Sequence, residues 1–165
     1  PALIIGIRAF NVHKELAFKN QILWDYANQG GTVIIQYNTS RGFDSSIMSP
    51  YLIKLSRDRI TDENADVIFL KKDHPLLNEP NKITEKDFKG WVQERGLYFA
   101  NEWDERYQSL FSMSDKGEKS NKGSLLAANY GKGKIIYTGL SFFRELPSGV
   151  PGAYRLFINL ISFGQ

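Results

Sequence analysis

Residues 30–39 have the sequence Gly-Gly-Thr-Val-Ile-Ile-Gln-Tyr-Asn-Thr, and this stretch decides the fold. The glycine pair is typical of the end of a helix, and the apolar β-branched run after it is typical of a strand that is buried on both faces. In open α/β sheets, ligands bind just beyond the carboxyl ends of the strands. The stretch therefore predicts a functional edge at Tyr37, Asn38 and Thr39, although none of these is an obvious nucleophile.

The residues before this stretch predict a strand–helix–strand unit. We expect a strand over residues 3–7, a loop over residues 8–11 with Asn11 as a candidate helix cap, and a helix over residues 12–28. Because strands joined by a helical crossover are parallel, the strands over residues 3–7 and 33–37 are expected to be parallel neighbours.

The remaining patterns predict an α/β domain that spans residues 1–165. Strands are expected over residues 51–55, 67–70 and 109–113, with residues 67–70 in the same sheet as the first two strands. A capping box at Thr84 and Asp87 predicts a helix that ends at Gly96. A hairpin over residues 124–140 and an amphipathic helix over residues 153–161 complete the chain. Together they predict a three-layer sandwich, with a mainly parallel sheet and an antiparallel edge hairpin.

Composition excludes several classes of function. The chain has 165 residues, no cysteine and a net charge of +3 with dispersed lysines and arginines. Disulfides, thiolate metal sites and a cysteine nucleophile are therefore excluded, and a nucleic-acid partner is not indicated. No run approaches the roughly 18 apolar residues of a membrane span. His13 and His74 have no metal-binding spacing, so we expect no metal and no cofactor.

The lack of cysteine fits either a cytoplasmic or an exported protein. We favour an exported location, periplasmic or extracellular, over a cytoplasmic one.

Three arginines closely follow predicted strands and can converge at one edge: Arg8, Arg41 and Arg144. Such a group can bind a carboxylate or a phosphate, and it can equally tie loops down through backbone carbonyls. Aromatic residues also gather in one part of the sequence, at Trp91, Tyr98, Phe99 and Trp103. They can form a shelf on which sugars stack, although core packing is the favoured interpretation.

Four stretches carry a resemblance to a known family. They are residues 4–11 (IIGIRAFN), 30–38 (GGTVIIQYN), 55–64 (LSRDRITDEN) and 90–99 (GWVQERGLYF). Together they resemble the C-terminal domain of large bacterial LmbE-like (PIG-L family) deacetylases. The resemblance implies a flavodoxin-like, class I glutamine amidotransferase-like fold, also seen in ThuA-like proteins. It further implies a zinc-dependent N-acetylglucosaminyl deacetylase domain upstream in the same polypeptide, and an opening strand–helix–strand unit missing before Pro1, whose absence would leave an exposed apolar edge.

The catalytic triad of that family is incomplete in this sequence. The family's cysteine elbow would fall near residues 36–38, where no cysteine exists. Its His-x-Glu stretch corresponds to Phe143 and Glu145, so the histidine is also missing. Glutamine hydrolysis through a thioester is therefore not available, and we expect this chain not to be an enzyme. Tyr37 and Phe143 should face each other, flanked by Arg144 and Glu145, whose side chains can turn outward to a ligand.

Three functional hypotheses follow. The first is a non-catalytic accessory domain of a carbohydrate deacetylase, which docks on the catalytic domain or binds saccharide through Arg8, Tyr37, Asn38, Arg41, Arg144 and Glu145. The second is an independent hydrolase that uses Asp44, His74 or Glu145. The third is a structural scaffold without a ligand.

Overall fold

The structure is a computed structural model that describes residues 1–164. Its helices are α1 (Ala9–Val12), α2 (Glu15–Asn28), α3 (Phe142–Glu145) and α4 (Pro151–Ser162). Its strands are β1 (Ala2–Ile5), β2 (Thr32–Gln36), β3 (Ile53–Leu55), β4 (Arg59–Ile60), β5 (Val67–Phe69), β6 (Gly96–Leu97), β7 (Ala100–Trp103), β8 (Gln108–Ser109), β9 (Phe111–Met113), β10 (Leu125–Tyr130) and β11 (Gly133–Thr138). Short 3-10 helices span Ser45–Met48, Pro75–Leu77 and Glu85–Phe88.

A five-stranded mixed sheet in the order β1-β2-β11-β10-β8 forms the centre of the molecule. The strands β1, β2 and β11 are parallel, whereas β10 is antiparallel to both β11 and β8. The parallel pairing of β1 and β2 confirms the prediction. The hairpin β10–β11 also forms, but the prediction that it lies at the edge is wrong. The strand β10 pairs on its outer side with the two-residue strand β8, which forms the edge instead.

One long helix covers each face of this sheet. On one face, Leu23, Trp24 and Ala27 of α2 pack in a cluster with Val33 and Ile35. On the other face, the apolar stripe of α4 packs in a second cluster that includes Ile34 and Ile136. Alternate residues of β2 thus enter different clusters, as the alternation of side chains along a strand requires. The chain is a mixed α/β protein.

Two strand predictions are corrected by the structure. Residues 67–70 were expected in the central sheet, but β5 pairs only with β9, in a separate two-stranded sheet. The predicted strand over residues 51–55 is shortened to β3, which pairs with β7 outside the central sheet. Short apolar runs specify a strand but not its partner, and here the partners lie far along the chain.

The segment after β1 also differs from its prediction. Residues 9–12 form a turn of α-helix rather than a loop, and α2 starts only at Glu15. Asn11 does not cap a helix: its side-chain amide donates to Thr39 O (3.1 Å), and its Oδ1 accepts from Thr39 N (2.8 Å). The first turn is instead held by Asn38, whose Oδ1 accepts from Phe10 N (3.1 Å).

The capping box is confirmed, but the helix predicted after it is not formed. Thr84 and Asp87 bond reciprocally around the 3-10 helix Glu85–Phe88. The chain then continues irregularly to β6, with Trp91 Nε1 donating to Asp87 O (2.9 Å). An irregular path through residues 89–95 brings Glu94 and Arg95 into the interior.

Apolar side chains are exposed along β1 and on the neighbouring helix α2. Leu3 and Ile4 are 37% and 41% exposed, and Phe18 and Ile22 of α2 are 87% and 65% exposed. The Tyr26 hydroxyl donates to Pro1 O (2.8 Å), which ties this side of α2 to the start of the strand.

Candidate functional site at the carboxyl edge of the sheet

The parallel strands β2 and β11 end at the same edge of the sheet, and aromatic side chains meet there. Tyr37 directly follows β2, and Phe143 lies on α3 after β11. Their ring centroids are 5.3 Å apart with an interplanar angle of 56°, which confirms that they face each other. The ring of Tyr98 stacks on the ring of Tyr37, with centroids 5.7 Å apart and an interplanar angle of 14°. Tyr37 is buried, whereas Tyr98 and Phe143 are half-buried. Their rings therefore form an aromatic platform around Tyr37.

Backbone strain gathers near this platform. Within residues 1–164, the non-glycine residues with positive φ are Arg8 (56°), Gln93 (66°) and Tyr98 (52°). Arg8 N donates to Tyr37 O (2.8 Å), and Tyr98 is itself a platform residue. A non-glycine residue in this region costs of order 1 kcal/mol or more and persists where the surroundings hold it, often at functional sites. The strain marks this edge as the candidate site.

The electrostatics of Tyr37 keep its hydroxyl protonated. Burial raises the pKa of Tyr37, while the nearby charges of Arg8 and Arg144 act in the opposite direction. Tyr37 therefore offers a hydroxyl group rather than a phenolate, and nothing here activates it as a nucleophile.

A buried carboxylate fixes Arg144 beside the platform. Arg144 Nε donates to Glu94 Oε1 (2.7 Å), and Arg59 Nη2 donates to Glu94 Oε2 (3.0 Å). The Glu94 side chain is only 3% exposed. The Arg144 guanidinium also lies 4.9 Å from the ring centroid of Phe143. Arg144 is thus positioned over the platform, although part of its hydrogen-bonding capacity is already used.

Glu145 lies inside the protein instead of turning outward. It is fully buried, and its Oε2 accepts from Val92 N (2.9 Å). Burial raises the pKa of Glu145, opposed by its hydrogen bonds from Val92 and Ser141. The Ser141 hydroxyl lies 2.7 Å from Glu94 O and 3.1 Å from Glu145 Oε1, with one proton to donate. Through the bonds from Val92 N and from the Ser141 hydroxyl, the Glu145 carboxyl group is a structural link between α3 and residues 92–94.

Asn38 and Arg41 have different surroundings from the platform residues. Asn38 is fully buried; besides holding α1, its Nδ2 donates to Gln36 O (3.1 Å). It fixes the backbone behind Tyr37 and does not line the surface. Arg41 is exposed in a turn and makes no hydrogen bond or ion pair within the described part of the chain. Of the predicted arginines, Arg144 lies over the Phe143 ring, and Arg8 reaches the platform through its backbone N–H to Tyr37 O and its nearby charge.

The residues of the hydrolase hypothesis are not brought together. Asp44 is exposed and accepts from Ser46 N (2.9 Å), and hydrogen bonds from the side chain and backbone of Ser46 lower the pKa of Asp44. His74 lies in a pocket with Lys134, at the start of β11, whereas Glu145 follows the end of that strand. A six-residue strand is about 20 Å long. Among residues 1–164, no hydrogen bond or ion pair joins any two of these three groups.

Some residues that organise the edge were not predicted from the sequence. Trp91 and Phe99 pack in the core, as the favoured interpretation of the aromatic segment predicted. Arg59 and Glu94 lie in two of the four stretches that carry the resemblance, but they are 35 positions apart and no spacing indicated that they pair. No group of three potential metal-ligating side chains occurs among the described residues. Nor does any helix within residues 1–164 have the length and apolar character to cross a membrane.

Comparisons with known proteins give the fold alone. No protein-family model matches this sequence, and no curated protein matches it. The cytoplasmic protein STM1381 from Salmonella typhimurium LT2 is 13% identical with a TM-score of 0.58, over 99% of this chain and 71% of that chain. The cytoplasmic protein STM3548 from Salmonella typhimurium is 14% identical with a TM-score of 0.59, over 98% of this chain and 70% of that one. A cold-adapted β-galactosidase from Rahnella sp. R3 has a TM-score of only 0.47, at 14% identity over 96% of this chain and 22% of that chain.

These likenesses correct one expectation from the sequence. An exported location was favoured, but both structures that share the fold are of proteins named as cytoplasmic. The composition had given no decisive signal, since a chain without cysteine is compatible with either compartment.

Proposed function

We propose that this chain is a non-catalytic accessory domain of a bacterial LmbE-like (PIG-L family) carbohydrate deacetylase, and that it binds saccharide at the carboxyl edge of its sheet. The observation that carries the proposal is the aromatic platform of Tyr98, Tyr37 and Phe143, bordered by Arg8 and Arg144. Sugars present apolar C–H faces that pack on aromatic rings, and guanidinium groups donate hydrogen bonds to the oxygens at the ring's rim.

The lack of catalysis is supported by what occupies this edge. In the resembling family, a cysteine elbow and a histidine meet at the ends of the corresponding strands. Here Tyr37 and Phe143 hold those positions, with their rings 5.3 Å apart. Glu145, at the family's glutamate position, is buried and bonded to the backbone. The site therefore favours binding over hydrolysis.

We further propose that the fold is of the flavodoxin-like, class I glutamine amidotransferase-like type. A flavodoxin-like, class I glutamine amidotransferase-like sandwich has helices on both faces of a largely parallel sheet. The packing of α2 and α4 on opposite faces supports it. We also infer a cytoplasmic location, because the two Salmonella proteins that share the fold carry that description.

Calorimetric titration of this chain with glucosamine, N-acetylglucosamine and its short oligomers tests the proposal. We expect saturable binding of at least one of them. Replacing Phe143 by Ala should weaken binding by about tenfold, equivalent to about 1.4 kcal/mol. Phe18→Ala is the matched control, because Phe18 is 87% exposed on α2 and no ring contact joins it to Tyr37, Tyr98 or Phe143 in the described part of the chain. It should leave the affinity unchanged.

Two results would contradict saccharide binding at the platform. Equal losses of sugar affinity in Phe143→Ala and Phe18→Ala would mean that the sugar makes no specific contact with the platform. If the folded wild-type chain bound none of the sugars, the result would favour a scaffold without a ligand. Thermal unfolding of each variant separates loss of the platform from loss of the fold.

A further inference from the structure

A second concave site lies at the other end of β11 from the platform. It is a pocket of about 600 Å³ between the segment 70–75, the start of β11 and Phe163 after α4. Its volume falls within the range typical of small-molecule sites. The pocket has no part in the proposed saccharide site, from which the length of β11 separates it.

The pocket carries uncompensated positive charge. Lys71, Lys72 and Lys134 line it together with one carboxylate, Asp73. Three ammonium groups less one carboxylate leave two net positive charges. None of the three lysines takes part in an ion pair within residues 1–164. The charge is therefore available to an anion from solution.

Neutral groups hold Lys134 in place at the pocket wall. Its Nζ donates to Asn129 Oδ1 (2.6 Å) and lies 5.2 Å from the ring centroid of Phe163. Phe163 is itself anchored, because its carbonyl accepts from Thr32 Oγ1 (2.6 Å). An ammonium group with two further N–H donors is thus presented by a fixed wall, rather than by a freely moving surface side chain.

His74 adds a directional donor. Leu76 N donates to its Nδ1 (3.2 Å), which leaves the imidazole proton on Nε2. Burial, reinforced by Lys71 and Lys134, lowers the pKa of His74, so the ring is neutral at pH 7 and Nε2–H remains a hydrogen-bond donor. The ring also packs against Phe163, with centroids 5.2 Å apart.

We propose that this pocket binds a small phosphate monoester. A phosphate monoester carries close to two negative charges at pH 7 and three acceptor oxygens, which match the two net positive charges and the N–H donors of the pocket. A carboxylate would neutralise only one of these charges. Phe163 and Leu70 give the organic part of the ligand an apolar wall.

Titrations of this chain with inorganic phosphate, glucose 6-phosphate and acetate, at low ionic strength, test the proposal. We expect saturable binding of both phosphates and much weaker binding of acetate. Lys134→Met keeps the side-chain stem on Phe163 but removes the charge, and should weaken phosphate binding about tenfold. Lys132→Met, in the exposed turn two residues earlier and outside the pocket, should change it by less than about twofold.

Three outcomes would overturn the phosphate site. They are no saturable binding of either phosphate, equal affinity for phosphate and acetate, and equal losses in Lys134→Met and Lys132→Met. Lys71→Met provides a second pocket variant if Lys134→Met proves unstable by thermal unfolding, and it must then show the same loss.

Discussion

Replacing Arg59 and Arg144 together by methionine tests how the buried carboxylate of Glu94 is stabilised. The Glu94 side chain is 3% exposed, while those of Arg59 and Arg144 are 54% and 34% exposed. Loss of both arginines leaves an uncompensated charge inside the protein, which costs about 3–5 kcal/mol. Glu94→Gln instead leaves two cations that water can reach, so we expect a smaller cost of about 1–2 kcal/mol.

The decisive comparison is a rescue. Adding Glu94→Gln to the double variant replaces the unpaired carboxylate by a neutral amide, which is less costly to bury. We expect the triple variant to be more stable than the double variant by about 1–3 kcal/mol. Urea unfolding at pH 7, followed by tryptophan fluorescence, measures the free energy of unfolding of the wild type, the double variant, Glu94→Gln and the triple variant. Lys54→Met is the control, because Lys54 and Glu102 form an ion pair whose side chains are 56% and 52% exposed; it should cost less than about 1 kcal/mol.

Two results would contradict stabilisation of Glu94 by the two arginines: a double variant no less stable than Glu94→Gln, or a triple variant no more stable than the double variant. Either result would mean that the carboxylate is stabilised by something other than the two arginines. Arg144 would then not be held beside Phe143 by this ion pair.

Three other predictions concern the same core and edge. Burial raises the pKa of Glu145 above its ordinary value of 4.5, so the folded state binds more protons and its stability falls as pH rises through that window. The free energy of unfolding of wild type relative to Glu145→Gln should therefore decrease from about pH 4.5 to pH 7, measured by urea unfolding; a constant difference would contradict the raised pKa. Asn159→Leu should destabilise the protein by at least about 2 kcal/mol in the same assay, because buried Asn159 donates to Leu76 O (2.9 Å) and Asn81 O (2.7 Å). A cost below that of an exposed substitution would refute a structural role for this amide. Purified protein should release no ammonia from glutamine above a blank without enzyme, and Phe143→His should restore none, since the nucleophile is still absent; measurable release would end the non-catalytic proposal.

Local patterns predicted the elements of the centre well. The apolar run of β2 has buried residues on both faces, and Gly30 ends the preceding helix with φ 116°. The spacing of apolar residues in α4 likewise matches its packing. The strand order could not be predicted, since nothing in residues 133–138 specifies that β11 should lie beside β2 rather than at an edge.

The site was predictable only where topology dictated it. Tyr37 and Phe143 meet because parallel strands end at a common edge. Glu94 was invisible in the sequence, because its burial depends on the irregular path after the 3-10 helix Glu85–Phe88. Asn38 and Glu145 were expected to face a ligand, but both are used to satisfy backbone N–H groups that would otherwise be buried without a partner.

The pairing of β2 with β11 has a consequence for how the chain folds during synthesis. Thr32 lies opposite Lys134, so the ladder joins residues about one hundred positions apart. Such non-local contacts make folding slow, because the intervening chain must be closed into a loop before the ladder gives any stabilisation. On the ribosome, β2 can pair only with β1 until residues 133–138 have emerged. During that interval the second edge of β2 is unpaired, and an unpaired strand edge exposes the nascent chain to aggregation.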